Sequence, residues 1–233
     1  DIHAGGIDHI PVHHTNEIAQ SESATGRRLA NYWMHSNHIS VDGQKISKSL
    51  GNSITLQNIR EKNFTPEDLR LLVLESSYMT QSKFSYDSLL SAKKRLEDIY
   101  AVSVLRFQAN KKSKRQKTYL KKFNKDLLSS MSDNLDTPTV MVHLSEFTKK
   151  FLDNGLNFKD VKDFNNTLKN IDNLLGLKTT NLKDVSISSK KLIIARVKAK
   201  STNNFAEADE IRNKLLKERI GLRDKEVSYW YYL

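Results

Sequence analysis

From Thr65 onward, the apolar residues of this 233-residue chain recur at the three- and four-residue steps of an α-helix. The clearest stripe belongs to a helix predicted from residue 85 to about residue 110, and it consists of Leu89, Ala92, Leu96 and Ile99. Thr65 and Pro66 supply a capping residue and a first-turn proline for the helix before it. Further helices are predicted over residues 117–132, 138–153 and 158–175. This part of the chain is therefore predicted to be a helical bundle.

A second, smaller unit is predicted near the end of the chain. Residues 176–189 are polar and weakly patterned, which is typical of a linker. Helices follow over 190–200 and 205–218, and the second is predicted to bury a face made of Phe205, Ala208, Ile211 and Leu215. The tail then places four aromatic residues beside cations, namely Tyr229, Trp230, Tyr231 and Tyr232. Such rings stack on unpaired RNA bases or form the core of a terminal strand, and both interpretations stay open.

Charge is divided unevenly along the chain. Residues 1–63 hold six Lys or Arg and six Asp or Glu, so the net charge of +11 comes from the 32 basic and 21 acidic residues that follow. Eight of those basic residues lie in 111–125, an acid-free segment that is either an RNA-facing loop or a solvated one. A neutral head on a basic body suits a polyanionic partner, although a solvated, lysine-rich surface explains the charge equally well.

The front of the chain concentrates the residues that can carry chemistry. It holds six of the seven histidines: His3, His9, His13, His14, His35 and His38. Asp1 to His3 are expected to end a strand, Gly5-Gly6 to form a turn, and residues 13 to about 24 to form a helix closed by Gly26.

His13 and Glu17 stand four residues apart on that predicted helix, so both side chains project from one face. An imidazole and a carboxylate in this arrangement can be two ligands of a zinc ion, with two more required. The alternative is an exposed hydrogen-bonding pair.

Cysteine is absent from the chain, which excludes a disulfide scaffold, a cysteine nucleophile and a thiolate metal ligand from these residues. No apolar run approaches the roughly 18 residues needed to cross a bilayer. A soluble, cytoplasmic protein is therefore predicted. The opening residues lack both a starting methionine and a signal-peptide pattern, so a fragment is expected.

The segment KISKSLGN, residues 45–52, contains two lysines three residues apart in a loop with serine and glycine. Lys45 and Lys48 can converge on a phosphate chain and neutralise the charge of a leaving pyrophosphate. The segment lacks the glycine spacing of a Walker loop. Taken alone, it is equally well a plain basic loop.

In its context this segment resembles the KMSKS signature of the class I aminoacyl-tRNA synthetases. YWMHSNHISVDGQ (32–44) is similar to the approach to that signature in cysteinyl-tRNA synthetases, and DIHAGGID (1–8) with HHTNEIAQSE (13–22) to their zinc-proximal segment. The similarity continues through residues 64–100 and NFAEADEIRNKL (204–215). The chain departs from the family pattern at Ala4, usually glycine, at His9 to Val12, usually Leu-x-Phe-Pro, and at Ile46, usually methionine.

The resemblance implies that Zn²⁺ binds the thiolate of the substrate cysteine and is held by two cysteines, a histidine and a glutamate. His13 and Glu17 match the last two ligands. Both family cysteines and the HIGH signature precede the segment that matches Asp1, so residues 1–233 are expected to be the C-terminal half of the enzyme and inactive alone. Cysteine recognition is assigned by resemblance to His3, Asp8 and His35, with Asp8 facing the substrate ammonium.

In the implied reaction, the carboxylate of cysteine attacks the α-phosphate of ATP, used with Mg²⁺, to give cysteinyl-adenylate and pyrophosphate. A ribose hydroxyl at the 3′ end of tRNA(Cys) then takes the cysteinyl group. Lys45 and Lys48 are implied to stabilise the transition state, with Ser47 and Lys48 binding ATP. Arg223, Asp224 and Trp230 are candidates for tRNA contacts near the anticodon. A monomer is expected. The alternatives are a cysteine ligase acting on an amino sugar and a non-catalytic RNA-binding relic of the family.

The predicted fold is α/β plus all-α. Residues 1–36 would end a Rossmann-type catalytic domain, and residues 37–63 would carry the KMSKS-type loop. A tRNA-binding helical bundle is predicted over 64–178, and a linker with a small C-terminal α(+β) domain over 179–233.

Overall fold

The computed structural model describes residues 1–41, 44–45, 54–224 and 229–232, with the backbone alone described at 44–45. Seven strands lie within these residues: β1 Ile2–Gly6, β2 Tyr32–Ser36, β3 Ile39–Val41, β4 Gln44–Lys45, β5 Ser82–Phe84, β6 Ile220–Arg223 and β7 Tyr229–Tyr232. The α-helices described are α1 Thr15–Thr25, α2 Leu56–Glu61, α3 Pro66–Leu74, α4 Tyr86–Ser103, α5 Lys117–Ser132, α6 Thr137–Asn154, α7 Val161–Leu175, α8 Ile187–Ser201 and α9 Phe205–Lys217.

The front of the chain is a parallel pair of strands joined by a helix. In β1 and β2, His3 pairs with Trp33 and Gly5 with His35. The predicted turn at Gly5-Gly6 is wrong, because β1 continues through Gly6. Gly5 instead allows the ring of His14 to pack closely against β1, since a Cβ at this position would lie 2.6 Å from Cε1 of His14. The predicted helix is confirmed as α1, and Gly26 ends it in the left-handed conformation (φ 66°).

A three-stranded sheet follows, in the order β4-β3-β5. Strand β3 pairs antiparallel with β4 and parallel with β5. Val41, Ile59, Phe84 and Leu89 form a small apolar cluster beside it. Helices α2, α3 and α4 each begin with a capping box, in which a Thr or Ser side chain and the residue three positions later satisfy each other's backbone N–H.

The main core is formed by buried residues of helices α3 to α7, which pack against one another. The prediction of 117–132 coincides with α5, and that of 158–175 is met by a 3₁₀ turn, Phe158–Asp160, followed by α7. The Phe147 ring lies 4.6 Å from that of Phe123 and 4.8 Å from that of Phe151, and such pairs each contribute about 1 kcal/mol beyond burial. No helix within the described ranges is long and apolar enough to span a membrane.

The basic segment 111–125 is only partly a loop, because its residues from Lys117 onward form the first turns of α5. The loop part is fastened by the fully buried Asp160. Its carboxylate accepts hydrogen bonds of 2.7 Å from Nε of Arg115 and from the backbone N–H of Gln116. The loop is therefore held against the start of α7.

The segment predicted as a linker, 176–189, is packed rather than free. Leu177 and Thr179 are fully buried. The Asp172 carboxylate accepts hydrogen bonds from the backbone N–H and hydroxyl groups of Thr179 and Thr180, at 2.6–2.9 Å. Arg106 donates to carbonyls of the same segment, including Leu182 O at 2.6 Å. These contacts join distant parts of the chain, which weak local patterning cannot reveal.

Helices α8 and α9 and the antiparallel hairpin β6–β7 enclose a second core. Both helices are confirmed, but Phe205 is 58% exposed, against the prediction, because it stands at the first position of α9 beyond the core. Trp230 is buried in that core, stacked 6.4 Å from Phe107. Tyr229 and Trp230 are therefore core residues of a terminal strand, which is one of the two interpretations of the tail.

One continuous segment supplies all three apolar clusters. Leu89 of α4 belongs to the cluster beside β3, and Leu96 of α4 belongs to the main core. Val104, in the 3₁₀ turn that continues α4, belongs to the second core. The helical segment 86–107 therefore contributes side chains to each of these three clusters.

Candidate active site

The end of β1, two tight turns, the start of α1 and strand β2 gather a group of imidazoles around one carboxylate. A 3₁₀ turn, Ile7–His9, and a π-turn, Ile10–His14, lead from β1 into α1. Because β2 pairs with β1 in parallel, it brings Trp33 and His35 to the same place. The histidines lie at 3, 9, 13, 14 and 35, and the carboxylate is that of Glu17.

His13 and Glu17 face each other as their four-residue spacing predicts, with Nε2 3.4 Å from Oε1. His13 is 59% exposed, so its ring is accessible. The other carboxylate oxygen, Oε2, lies 2.9 Å from Nε2 of His3 on the neighbouring strand. Sequence reasoning selected all three residues, and the fold joins them through Glu17.

The Oε2 atom of Glu17 is buried and accepts no hydrogen bond from a described residue, although Nε2 of His3 lies 2.9 Å away. A buried oxygen with free lone pairs next to imidazole nitrogens is a suitable metal ligand. The donor set of imidazole and carboxylate thus fits the zinc ion implied by the sequence.

His14 is the central side chain that sequence reasoning did not select. It is buried, and its Nδ1 lies 2.8 Å from Nε2 of His35. Burial lowers the pKa of His14, and the neighbouring His3 and His35 lower it further. A neutral imidazole is therefore favoured at this position. The signal available in the sequence was the adjacent pair His13-His14.

Trp33 forms an apolar wall of the site. Its ring centroid lies 4.9 Å from that of His3 and 5.2 Å from that of His14. Its position on β2 follows from the strand pairing, which the sequence alone left uncertain. Trp33 therefore restricts the rings of these two histidines.

Asp8 occupies the 3₁₀ turn and is exposed, and its carboxylate lies 3.4 Å from Nε2 of His38. Lys45 lies on β4, where the backbone alone is described. Ser47 and Lys48 lie outside the described residues. The predicted phosphate-binding loop therefore keeps its status as a prediction.

The three candidates for tRNA contacts are engaged within the chain. Arg223 donates a 2.6 Å hydrogen bond to Asp98, and Asp224 accepts two from Arg196. Trp230 is only 3% exposed and offers almost no surface to a base.

The basic segment 111–125 is accessible, because all eight of its basic residues are exposed. Six of them form no ion pair with a described residue: Lys111, Lys112, Lys114, Lys117, Lys121 and Lys125.

A family model and several similar proteins indicate the same family. Residues 1–94 match the family model described as the tRNA synthetases class I (C) catalytic domain. Proteins named cysteine–tRNA ligase are similar along nearly the whole chain. That of Chlamydia pneumoniae is 34% identical over 93% of this chain and 48% of its own length, and that of Acinetobacter baumannii is 35% identical over 99% and 52%.

Two solved structures share the fold. The LeuRS of Agrobacterium radiobacter K84, in a ternary complex with tRNA and LeuAMS, matches 77% of this chain and 26% of its own, with a TM-score of 0.60 and 12% identity. The Mycobacterium tuberculosis methionyl-tRNA synthetase, in complex with methionyl-adenylate, matches 78% of this chain and 43% of its own, with a TM-score of 0.52 and 15% identity.

The chain therefore belongs to the class I aminoacyl-tRNA synthetases. Within that class, its sequence is that of the cysteinyl-tRNA synthetase family. The chain spans about half the length of the relatives it matches.

Proposed function

We propose that this chain is part of an enzyme that activates L-cysteine with ATP and transfers the cysteinyl group to tRNA(Cys) in the cytoplasm. The observation that carries the proposal is the position of Glu17, whose two carboxylate oxygens lie 3.4 Å from His13 Nε2 and 2.9 Å from His3 Nε2. This arrangement occurs within the segment that matches the family's catalytic domain. Its donor types are those that a zinc-dependent cysteine pocket requires.

His13 and Glu17 would hold the zinc ion, together with ligands that this cysteine-free chain does not supply. When bound, zinc supplies a soft Lewis acid that prefers a thiolate to the hydroxyl of serine. His3 lies against Glu17 on the strand side, and the contact with His35 orients the ring of His14 behind it. The exposed carboxylate of Asp8 is available to pair with the ammonium group of cysteine.

Lys45 and Lys48 would neutralise the phosphate chain of ATP and the pyrophosphate that leaves when cysteinyl-adenylate forms, with Ser47 as a hydrogen-bonding neighbour. A Mg²⁺ ion would share that charge. This assignment rests on the KISKSLGN sequence.

The tRNA would lie against the exposed basic segment 111–125 rather than against Trp230. Asp160 fixes the loop part of this segment, and α5 fixes the remainder, so the cations are held on a rigid support. Contacts of this kind bind phosphates without reading sequence. Binding should therefore weaken steeply as salt concentration rises.

The test is ATP–pyrophosphate exchange by the natural polypeptide in which residues 1–233 occur, with cysteine, serine and valine as substrates. Exchange with cysteine alone is expected, with a loss of at least about 100-fold in Lys48→Ala and His13→Ala. His143→Ala is the matched control, because this histidine lies on α6 away from the site.

Two results would overturn the proposal. No exchange by a folded, zinc-loaded polypeptide that still binds tRNA would favour the RNA-binding relic. Cysteine-dependent exchange without charging of tRNA, but with coupling to an amino sugar, would favour the other cysteine ligase.

A further inference from the structure

We infer that Tyr78 is a positioning residue that, through Asn134, holds the helical bundle in a fixed position relative to the candidate site. The inference rests on the proposed function and names a residue for its second step, the transfer of the cysteinyl group to tRNA. Tyr78 lies between α3 and β5, in residues 76–81, here named the bridging segment, and Asn134 lies between α5 and α6. The hydroxyl of Tyr78 donates a 2.7 Å hydrogen bond to Oδ1 of Asn134, 56 residues further along the chain.

The bridging segment is bonded to the corner between β2 and β3. The backbone N–H of Asn37, in that corner, donates a 2.7 Å hydrogen bond to the carbonyl of Tyr78, and its Nδ2 donates a 3.2 Å bond to the carbonyl of Met79. Strand β2 carries His35 of the candidate site, and β3 precedes KISKSLGN in the sequence. The segment is therefore fixed to the chain between the histidine site and the residues proposed to bind ATP.

The same segment is bonded to the bundle. Besides accepting from Tyr78, Asn134 donates through Nδ2 to Sδ of Met79 at 3.5 Å. The hydroxyl of Thr137, at the start of α6, donates a 3.2 Å hydrogen bond to the carbonyl of Ser76. Helix α5, which ends just before this connector, begins within the basic segment proposed to hold tRNA. One short segment therefore joins the tRNA-bearing bundle to the candidate site.

The connector between α5 and α6 adopts a strained backbone where these contacts are made. Asn134 and Leu135 have positive φ angles of 49° and 55°. Asparagine enters this left-handed region readily, whereas leucine does so at a cost in free energy. Such residues persist only where surrounding contacts hold them, and they are frequent at functional sites. The hydrogen bond from Tyr78 is one of the contacts that hold this connector.

A cavity of about 270 Å³ separates the corner from the connector. Its walls include Asn37, Tyr78, Leu135 and Thr137. No described side chain fills this space, so the corner and the connector meet at this point through the hydrogen bonds of the bridging segment and not through close packing. Removal of one such bond should therefore allow the two sides to shift.

Transfer to tRNA depends on the position of the bundle relative to the site, whereas activation of cysteine does not. Cysteine and ATP would both be bound in the catalytic part of the chain, and tRNA on the basic segment 111–125 of the bundle. A displacement of about 1 Å between reacting groups can slow a reaction by about 100-fold. Among the described residues, the hydroxyl of Tyr78 contacts none that is proposed to bind cysteine, ATP or tRNA. Its loss should therefore slow transfer and leave activation and tRNA affinity unchanged.

The test compares two reactions of the natural polypeptide in which residues 1–233 occur. Cysteine-dependent ATP–pyrophosphate exchange without tRNA measures activation, and single-turnover transfer from preformed cysteinyl-adenylate to tRNA(Cys) measures the second step. Tyr78→Phe keeps the ring and removes only the hydroxyl. It is expected to lower the transfer rate about two- to fivefold, the effect of one neutral hydrogen bond, while exchange and the tRNA dissociation constant stay unchanged.

Asn134→Gly removes the other partner while leaving the left-handed backbone accessible, and the same loss of transfer rate is expected. The double variant should transfer no more slowly than either single variant, because both changes break the same bond. Thr80→Val is the matched control. It removes a 3.0 Å hydrogen bond to the carbonyl of Ser77, which lies within the bridging segment, and should transfer at the unsubstituted rate.

Three results would overturn the inference: an unchanged transfer rate in Tyr78→Phe or Asn134→Gly, an additive loss in the double variant, or an equal loss in Thr80→Val. A loss of exchange that matches the loss of transfer would also overturn it, since it would indicate a general effect on the fold. If the unsubstituted polypeptide neither exchanges pyrophosphate nor charges tRNA(Cys), the proposed function and this inference both fail. Normal charging with unchanged variants would overturn this inference alone.

Discussion

The guanidinium of Arg196 donates two parallel hydrogen bonds, each 2.8 Å long, to the carboxylate of Asp224. Arg196 is almost fully buried on α8, and Asp224 directly follows β6. Lys200 adds a third contact to the same carboxylate at 3.0 Å. The hydrogen bonds from Arg196 hold the pKa of Asp224 well below its usual range. This pair therefore fastens the β6–β7 hairpin to α8.

Asp224→Asn is expected to lower the free energy of unfolding at pH 7 by about 1–3 kcal/mol, because a buried guanidinium loses a charged acceptor. The pKa of Asp224 is lower in the folded chain than in the unfolded chain, so its contribution is present above about pH 4 and is lost as the pH falls further. Urea unfolding at several pH values measures this difference. Glu210→Gln, which breaks an exposed pair with Lys214, is the control and should have a smaller effect. An equal difference at pH 7 and at pH 2 would contradict the prediction.

Asp172→Ala is expected to release the segment that follows α7. Its carboxylate accepts four hydrogen bonds from Thr179 and Thr180, so its loss leaves two backbone N–H groups without their partner. The expected cost is about 2–3 kcal/mol of unfolding free energy. Hydrogen exchange should accelerate at these two amides before it changes elsewhere. Lys169→Ala, an exposed change on the same helix, should leave the exchange of both amides unaltered.

Gly5→Ala is expected to disturb the histidine site without any change in charge. The new methyl group would lie 2.6 Å from Cε1 of His14, a distance that forces the strand or the ring to move. Overpacking of this kind costs about 1–3 kcal/mol. The measurement is thermal unfolding, together with the fluorescence of Trp33, which packs on His14. Ala4→Ser, on the exposed face of the same strand, should change neither. Retention of the unsubstituted stability by Gly5→Ala would count against the close packing described.

Tyr119 offers a test in the alkaline range. Burial, with a smaller contribution from the nearby Glu146, raises the pKa of Tyr119 to about 12. The folded chain thus favours the neutral phenol, so this contribution to stability is present below about pH 10 and is lost as the pH rises toward 12. Absorbance titration of the unsubstituted chain and of Tyr119→Phe should differ by one tyrosine that ionises near pH 12. A difference that appears near pH 10 would be incompatible with this prediction.

The sequence alone predicts those features of the fold that depend on residues close together in the chain. The starts of α3 and α6 follow from a capping residue, Thr65 or Asp136, with a proline in the first turn. The end of α7 follows from Gly176, because glycine readily adopts the left-handed conformation found there. The pairing of His13 with Glu17 follows from helical spacing alone.

The sequence alone does not predict features that depend on contacts between residues far apart in the chain. His14 and His35 are 21 residues apart, and only the parallel pairing of β1 with β2 brings them together. The role of Gly5 depends on two rings that follow it, and the burial of Trp230 depends on Phe107. A pattern of residue types does not encode such partners. The burial of Trp230 favours the core-strand interpretation of the tail over RNA stacking. Residue composition alone could not distinguish the two.

The segment 86–107 supplies Leu89, Leu96 and Val104 to three separate apolar clusters. If this segment loses its helical form at one cluster, the other two lose part of their wall at the same moment. We therefore expect the regions on either side of the predicted boundaries near residues 63 and 178 to be coupled in their unfolding. The clusters should melt in one cooperative step, and no one of them is expected to persist as an intermediate after the others have unfolded.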